Sequence, residues 1–219
     1  MKKMLSFAIL DYKTVKEYFS GKNLLILLAI GIFLGVSTDS SILIGLVVMY
    51  GIMYSVYPFM ISEQSGIDTL YSTLSIDRKT VVFGRYLFGL SLTYSMGIIA
   101  TILNFILSVF LNRSFSLSAS LTVLAICLAV FGLLQAFQVP IYFKLSYAKA
   151  KFAAYLPLLA FPLATYLTTF AISEEQMQTL TTFIANNSAL LITLAIIIYI
   201  VIYAVSIVLS VQFYKKRDF

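Results

Sequence analysis

Ser62-Glu63-Gln64-Ser65-Gly66-Ile67-Asp68-Thr69-Leu70-Tyr71-Ser72-Thr73-Leu74-Ser75-Ile76-Asp77-Arg78-Lys79 is a polar island between two long apolar runs. The 219-residue chain around it is 61% hydrophobic and only 11% charged. Soluble domains carry about 25% charged residues, so lipid is the solvent expected for most of this chain. Within the island, Ile67, Leu70, Tyr71 and Leu74 recur at i, i+3, i+4 and i+7, the period of one helix face. Ser65 and Asp68 have the spacing of a capping box at a helix start. The segment therefore predicts a short amphipathic helix lying outside the bilayer between two spans.

Working outward, six stretches are long enough to cross a hydrocarbon core of about 30 Å. They are placed at Leu24–Ser40, Ile42–Ile61, Val81–Leu111, Leu117–Val139, Phe152–Ile172 and Ala189–Phe213. The third exceeds one bilayer crossing and is expected to project beyond it on the Arg85 side. With the N-terminus inside, fourteen of the fifteen basic residues fall on the cytoplasmic side and only Arg113 falls outside. The outer connections carry Asp39, Glu174 and Glu175 instead. This lysine and arginine asymmetry orients the chain with both termini cytoplasmic. The fold class that follows is an all-α membrane protein with six transmembrane helices, organised as one transmembrane domain over 1–219.

Residues 1–22 add an interfacial amphipathic helix: Leu5, Ala8, Ile9, Tyr12, Val15 and Phe19 share a face, and Lys2, Lys3, Lys13, Lys16 and Glu17 lie mostly off it. The cytoplasmic loop spans 62–80. An outer helical segment spans 173–187, with Ser173 and Gln176 as a second capping box and Met177, Leu180, Phe183 and Ile184 on one face. No cleavable signal peptide is evident, because the first apolar run starts at Leu24 and another span follows directly. Pro58 is expected to bend the second span near its inner end, and Pro157 and Pro162 the fifth. Gly31 and Gly35 form a GxxxG pair that permits close helix approach within the chain or between chains. Asn104, Gln135 and Gln138 read as interhelical glue. Tyr50, Tyr54 and Tyr57 form a stripe on the second span that packs and anchors at the interface, or lines an amphiphile path.

The chemistry that is missing narrows the function. Histidine is absent, which excludes HExxH zinc sites and serine–histidine dyads. The single cysteine, Cys127, sits in an apolar run and allows no disulfide within the chain. No catalytic residue and no metal ligand set emerges. Ionisable residues are absent from span centres, against the habit of proton-coupled carriers. No GxxxxGK[ST] phosphate loop occurs, so uphill transport would draw its energy from another polypeptide.

The segment Leu74-Ser75-Ile76-Asp77-Arg78-Lys79-Thr80-Val81-Val82-Phe83-Gly84-Arg85-Tyr86-Leu87 resembles the stretch that follows the coupling helix in type II ABC exporter permeases. The likeness is to short Firmicute-type permeases, including those of bacitracin-resistance and phenol-soluble modulin exporters. Many of these have Leu-Pro, then a basic residue, then an apolar-Gly-Arg/Lys-Tyr run; here Ser75 replaces the proline. The resemblance implies a permease subunit in the bacterial cell membrane, moving an amphipathic or apolar compound (a peptide, antibiotic or lipid-like molecule) outward. It implies a second copy or a related permease, and separate ATPase subunits that bind the ATP and magnesium, so that this chain is not itself an enzyme and holds no cofactor. It makes Glu63 to Leu74 the coupling region, with Leu70, Tyr71 and Leu74 packing and Glu63, Asp68 and Arg78 in polar contact. Two other readings remain at this stage: a non-transporting immunity or assembly protein that sequesters a partner, and an ion-coupled carrier. Nucleic acid is not an expected partner.

Overall fold

Long runs of Leu, Ile, Val, Phe and Ala without water satisfy their backbone polar groups only as helices. The computed structural model describes residues 2–18, 21–37, 41–73, 76–145, 147–154 and 186–217, with Gln176, Thr179, Thr182 and Phe183. Among the described residues there is helix and no strand. The elements are α1 (Lys2–Lys16), α2 (Gly21–Ser37), α3 (Ile42–Ser55), α4 (Tyr57–Ser65), α5 (Ile67–Thr73), α6 (Arg78–Phe110), α7 (Leu117–Lys144), α8 (147–154) and α9 (Ser188–Lys215).

Four helical stretches among the described residues are long and apolar enough to cross a membrane: Ile42–Ser65, α6, α7 and α9. The 17-residue α2 is a fifth apolar helix, about 25 Å long at 1.5 Å per residue. The span expected over Phe152–Ile172 is helical through 154; the rest of it lies outside the described residues, as do Leu74, Ser75, Ser173, Met177, Leu180 and Ile184. Where the second span is expected to bend, the helix is interrupted, although Ile42–Ser65 otherwise runs as one span. Helix geometry breaks at Val56, two residues before Pro58, and divides α3 from α4. Proline lacks the N–H that would continue the ladder.

Neighbouring helices run up and down. At one end, α6 closes on Asn112, which takes a left-handed φ of 51°, and the Arg113 N–H returns to the Ser108 carbonyl at 3.0 Å. That is the bond pattern of a Schellman stop. The Ser116 side chain then accepts from the Ala119 N–H and starts α7. At the other end, Asp77 caps α6 by accepting from the Lys79 N–H at 3.1 Å. Asn104 donates to Ser120 at 3.0 Å between α6 and α7, and Tyr203 donates to Gln135 at 3.4 Å between α9 and α7. Two of the three expected polar links therefore join helices. Gln138 is buried, and neither polar atom of its side chain has a hydrogen-bond partner.

Two arginines fasten the bundle at opposite ends. Arg113 donates to the carbonyls of Gly35 and Val36, each at 2.8 Å. Arg78 donates to the carbonyls of Tyr214 at 2.9 Å and Lys215 at 2.5 Å. Each guanidinium satisfies orphan carbonyls where a helix dipole presents its negative end. A Cβ built on Gly31 would lie 3.5 Å from Leu43 of α3, so this side of α2 faces a helix of the same chain. In α9 only Ser206, Ser210 and Tyr214 are buried. Its other faces are aliphatic and exposed, as expected of a helix bathed in lipid.

The helix predicted at the N-terminus forms, but its apolar residues divide between two faces. Phe7, Ala8 and Val15 turn into the bundle together with Asp11, whereas Leu5, Ile9 and Tyr12 are exposed. The predicted capping box at Ser65 does not form. The Ser65 hydroxyl donates back to the Ile61 carbonyl at 2.6 Å, and Gly66, with φ of 66°, ends α4. A left-handed φ suits glycine and places α5 directly after the turn.

Candidate functional site

Three consecutive residues of α6 reach three different parts of the molecule. Gly84 has no side chain, and Phe7 of α1 fills the space: a Cβ built on Gly84 would lie 2.9 Å from the Phe7 Cβ. The Phe7 ring in turn meets the Tyr71 ring edge-on, with centroids 5.0 Å apart. Tyr86 turns the other way, towards α9. Its hydroxyl lies 2.5 Å from Ser206 and 2.9 Å from Ser210. Ser206 donates to the Ala136 carbonyl of α7, so the first contact has the tyrosine as donor.

Between them, Arg85 is only 3% exposed. Its Nη2 donates to Asp68 Oδ1 of α5 at 3.2 Å and to the Ser62 hydroxyl of α4. The guanidinium lies over the Phe59 ring, 4.5 Å from its centroid. A cation in such a place gains from the ring face and the carboxylate together, and both gains grow as water is excluded. Tyr214 of α9 donates to the same Asp68 oxygen at 3.4 Å. Asp68 is therefore the point where α5 is tied to α6 and α9.

A second carboxyl enters from α1. Asp11 is 3% exposed, and its Oδ2 has no hydrogen-bond partner. Arg85 Nε is likewise buried without one. Burial pushes the Asp11 carboxyl up to about 7; Arg85 pulls in the opposite sense, and Asp68 adds a smaller upward push. One cation acts on two acids, and the acid without a direct partner keeps its proton up to near neutral pH.

This has a consequence for stability. Between pH ~4 and 7 the folded chain retains a proton that the unfolded chain releases, so stability falls as pH rises through that window and levels off above it. One proton gives a slope of at most about 1.4 kcal/mol for each step of one in pH. Asp11→Asn is expected to flatten that part of the curve and raise the unfolding temperature at pH ~8, measured by thermal unfolding in detergent across pH. An unchanged slope in the variant would show that Asp11 is not the group responsible.

The residues singled out in the sequence fall into distinct places. Leu70 is 53% exposed, and Glu63 is exposed, accepting from the Ala148 N–H at 3.3 Å. Asp68 and Tyr71 face inward. Arg78 is engaged with the end of α9, and Leu74 lies outside the described residues. Tyr50 and Tyr54 are buried and hydroxyl-bonded to each other at 3.0 Å. The Tyr57 ring is 4.4 Å from that of Tyr54. Tyr50 and Tyr54 share a buried cluster with Ala8 and Val15 of α1, and Tyr54 donates to the Tyr18 carbonyl just past α1 at 3.5 Å, so these two tyrosines do not border open space, while Tyr57 is half-buried. In the sequence, Arg85 reads as one more orienting charge, and neither Asp11 nor Ser62 stands out. A usable signal exists: Phe7, Asp11 and Val15 stand four apart, which puts a carboxyl on a helix stripe that is otherwise apolar. Among the described residues no group of acidic or cysteine side chains is placed to hold a metal ion.

The model of the ABC-2 family transporter proteins matches residues 9–215, from α1 to the end of α9. The chain belongs to the ABC-2 transporter family. No curated protein and no solved structure matches it. An ABC-2 protein is the membrane permease component of an ABC transporter and works with ATPase subunits. The whole buried cluster, from Asp11 to Tyr214, lies within the matched residues.

Proposed function

We propose that this permease exports an amphipathic or apolar compound and is driven by a separate ATPase that grips α5 from the cytoplasm. In this reading both termini are cytoplasmic, six spans cross the bacterial cell membrane, and two permease copies, or one copy with a related partner, complete the pore. The observation that carries it is the division of labour within α5. Asp68 and Tyr71 lock one face to the bundle, while Leu70 stands exposed on the other. A helix that only joined two spans would not need an exposed leucine beyond its buried anchor. Leu70, Glu63 and Leu74 then make the motor contact, and Asp68, Tyr71 and Arg78 hold the helix that makes it. A substrate path past Tyr50, Tyr54 and Tyr57 requires α1 to move aside.

Leu70→Asp tests the docking face without disturbing the anchor. Insertion and thermal stability are expected to stay within about 0.5 kcal/mol of the parent, as for exposed substitutions generally. Binding of the ATPase is expected to fall about 30-fold, the effect of losing a hot spot of ~2 kcal/mol, and export with it. Co-purification of ATPase with the tagged permease reads the first, and cellular resistance or efflux the second. Undiminished ATPase capture by the variant would remove α5 as the docking helix. Tyr71→Asp is unsuitable for this test, because it would bury a carboxylate beside Phe7.

A further inference from the structure

We propose that Arg85 is the positioning residue that transmits movement of the coupling helix to the N-terminal helix, by exchanging its carboxylate partner from Asp68 to Asp11. The proposal rests on the reading of α5 as the motor-contact helix, but its geometric core does not. Two buried carboxyls share the surroundings of one buried guanidinium on α6: Asp68 of α5, and Asp11 of α1, one helix turn along from the Phe7 that packs on Gly84. One of them is bonded to it. The other has an unpartnered acceptor, Asp11 Oδ2, while the guanidinium keeps an unpartnered donor, Nε. Buried polar atoms are rarely left so, and here the two orphans are chemically complementary. An arrangement in which Arg85 bonds Asp11 would satisfy both at the expense of the Asp68 bond. Two alternative carboxylate partners for one cation are what a switch requires.

The surroundings permit the motion. Asp68 moves with α5, which is tied to the bundle through Arg85, Tyr214 and the Phe7–Tyr71 contact. On its other side, α1 borders a cleft of about 340 Å³, lined by Leu5, Ile9, Tyr12, Leu87, Phe88 and Leu92. If the motor draws α5 outward, Asp68 leaves Arg85, and Asp11 loses its proton and takes the vacated cation. The proton goes to solvent at the interface, and no other group changes charge. Because α1 covers Tyr50 and Tyr54, drawing α1 to a new position uncovers the tyrosine stripe.

The test uses the full chain in lipid nanodiscs, without an ATPase. Magic-angle-spinning NMR measures distances between 15N-labelled arginine guanidinium groups and 13Cγ of aspartate. In Asp68→Asn, a short arginine–aspartate contact is expected, and it should vanish when Asp11→Asn is added. Ser62→Ala, a milder change that keeps both carboxylates, is expected to give the same new contact in part of the population. It serves where Asp68→Asn fails to insert. A guanidinium that stays on the α4–α5 side in both variants, with no contact that depends on Asp11, overturns the exchange. A switch seen by NMR in a chain that captures no ATPase would instead leave the exchange standing and remove the motor reading.

Discussion

Arg85→Ala is expected to cost about 3–5 kcal/mol, the usual consequence of removing one partner from a buried ion pair. The loss comes from what remains behind more than from the pair itself. Asp68 would be left buried with only the Tyr214 hydroxyl at 3.4 Å, and the Phe59 and Phe143 rings would face a void where the guanidinium lay 4.5 Å and 5.7 Å away. Arg85→Lys should recover part of the loss: it keeps the charge and a nitrogen able to donate to Ser62 and Asp68 as Nη2 does, but not the planar face that lies over Phe59. The joint change Arg85→Met with Asp68→Leu should recover more of the stability, since well-packed apolar pairs often equal buried ion pairs, yet transport should remain absent in it. Thermal unfolding in detergent and the level of inserted protein measure the first effect; efflux measures the second. Full stability in Arg85→Ala would mean that the cluster is solvated and that the pair does not hold α5.

Legibility in the sequence follows the length scale of each feature. The helices at α3, α6, α7 and α9 are readable because an apolar run of bilayer length has few alternatives, and their ends differ from expectation by only a few residues. The break before Pro58 is readable for the same local reason. α5 is readable from four residues of helical period, although its cap is not, because a left-handed Gly66 takes over the turn and releases Ser65 to α4. The buried cluster is not readable. Arg85 stands among basic residues that orient the chain, and nothing local separates a topogenic arginine from one that is inserted between helices. Its acidic partners lie 17 residues before it and on α1, so the charge balance exists only after packing. The apolar face expected of α1 fails for a related reason. In a soluble helix the apolar stripe marks the inside, but a helix at a lipid boundary has two apolar surroundings, and Leu5, Ile9 and Tyr12 are exposed on the side away from the bundle.

Gly84→Val should separate α1 from α6, and its effect distinguishes packing from charge in the same cluster. The first added carbon would lie 2.7 Å from Phe7 Cδ1 and 2.9 Å from Phe7 Cβ. The nearer atom belongs to a ring that can tilt, but the Cβ is fixed to the backbone of α1, so the helix itself must move. Overpacking of this kind costs about 1–3 kcal/mol, and here it also opens the Phe7–Tyr71 contact and draws Asp11 away from Arg85. Asp11 should then gain water, and its carboxyl should titrate nearer the ordinary range, so the variant loses part of the pH dependence that Asp11→Asn abolishes outright. Phe7→Ala should rescue Gly84→Val. The valine methyls occupy volume that the ring vacates, and the double variant should be more stable than the sum of the single effects by about 0.5–3 kcal/mol, the coupling seen for residues in contact. Additive effects in that cycle would mean that Phe7 does not sit in the Gly84 notch, and with it would go the route by which α1 is seated against the charged pair.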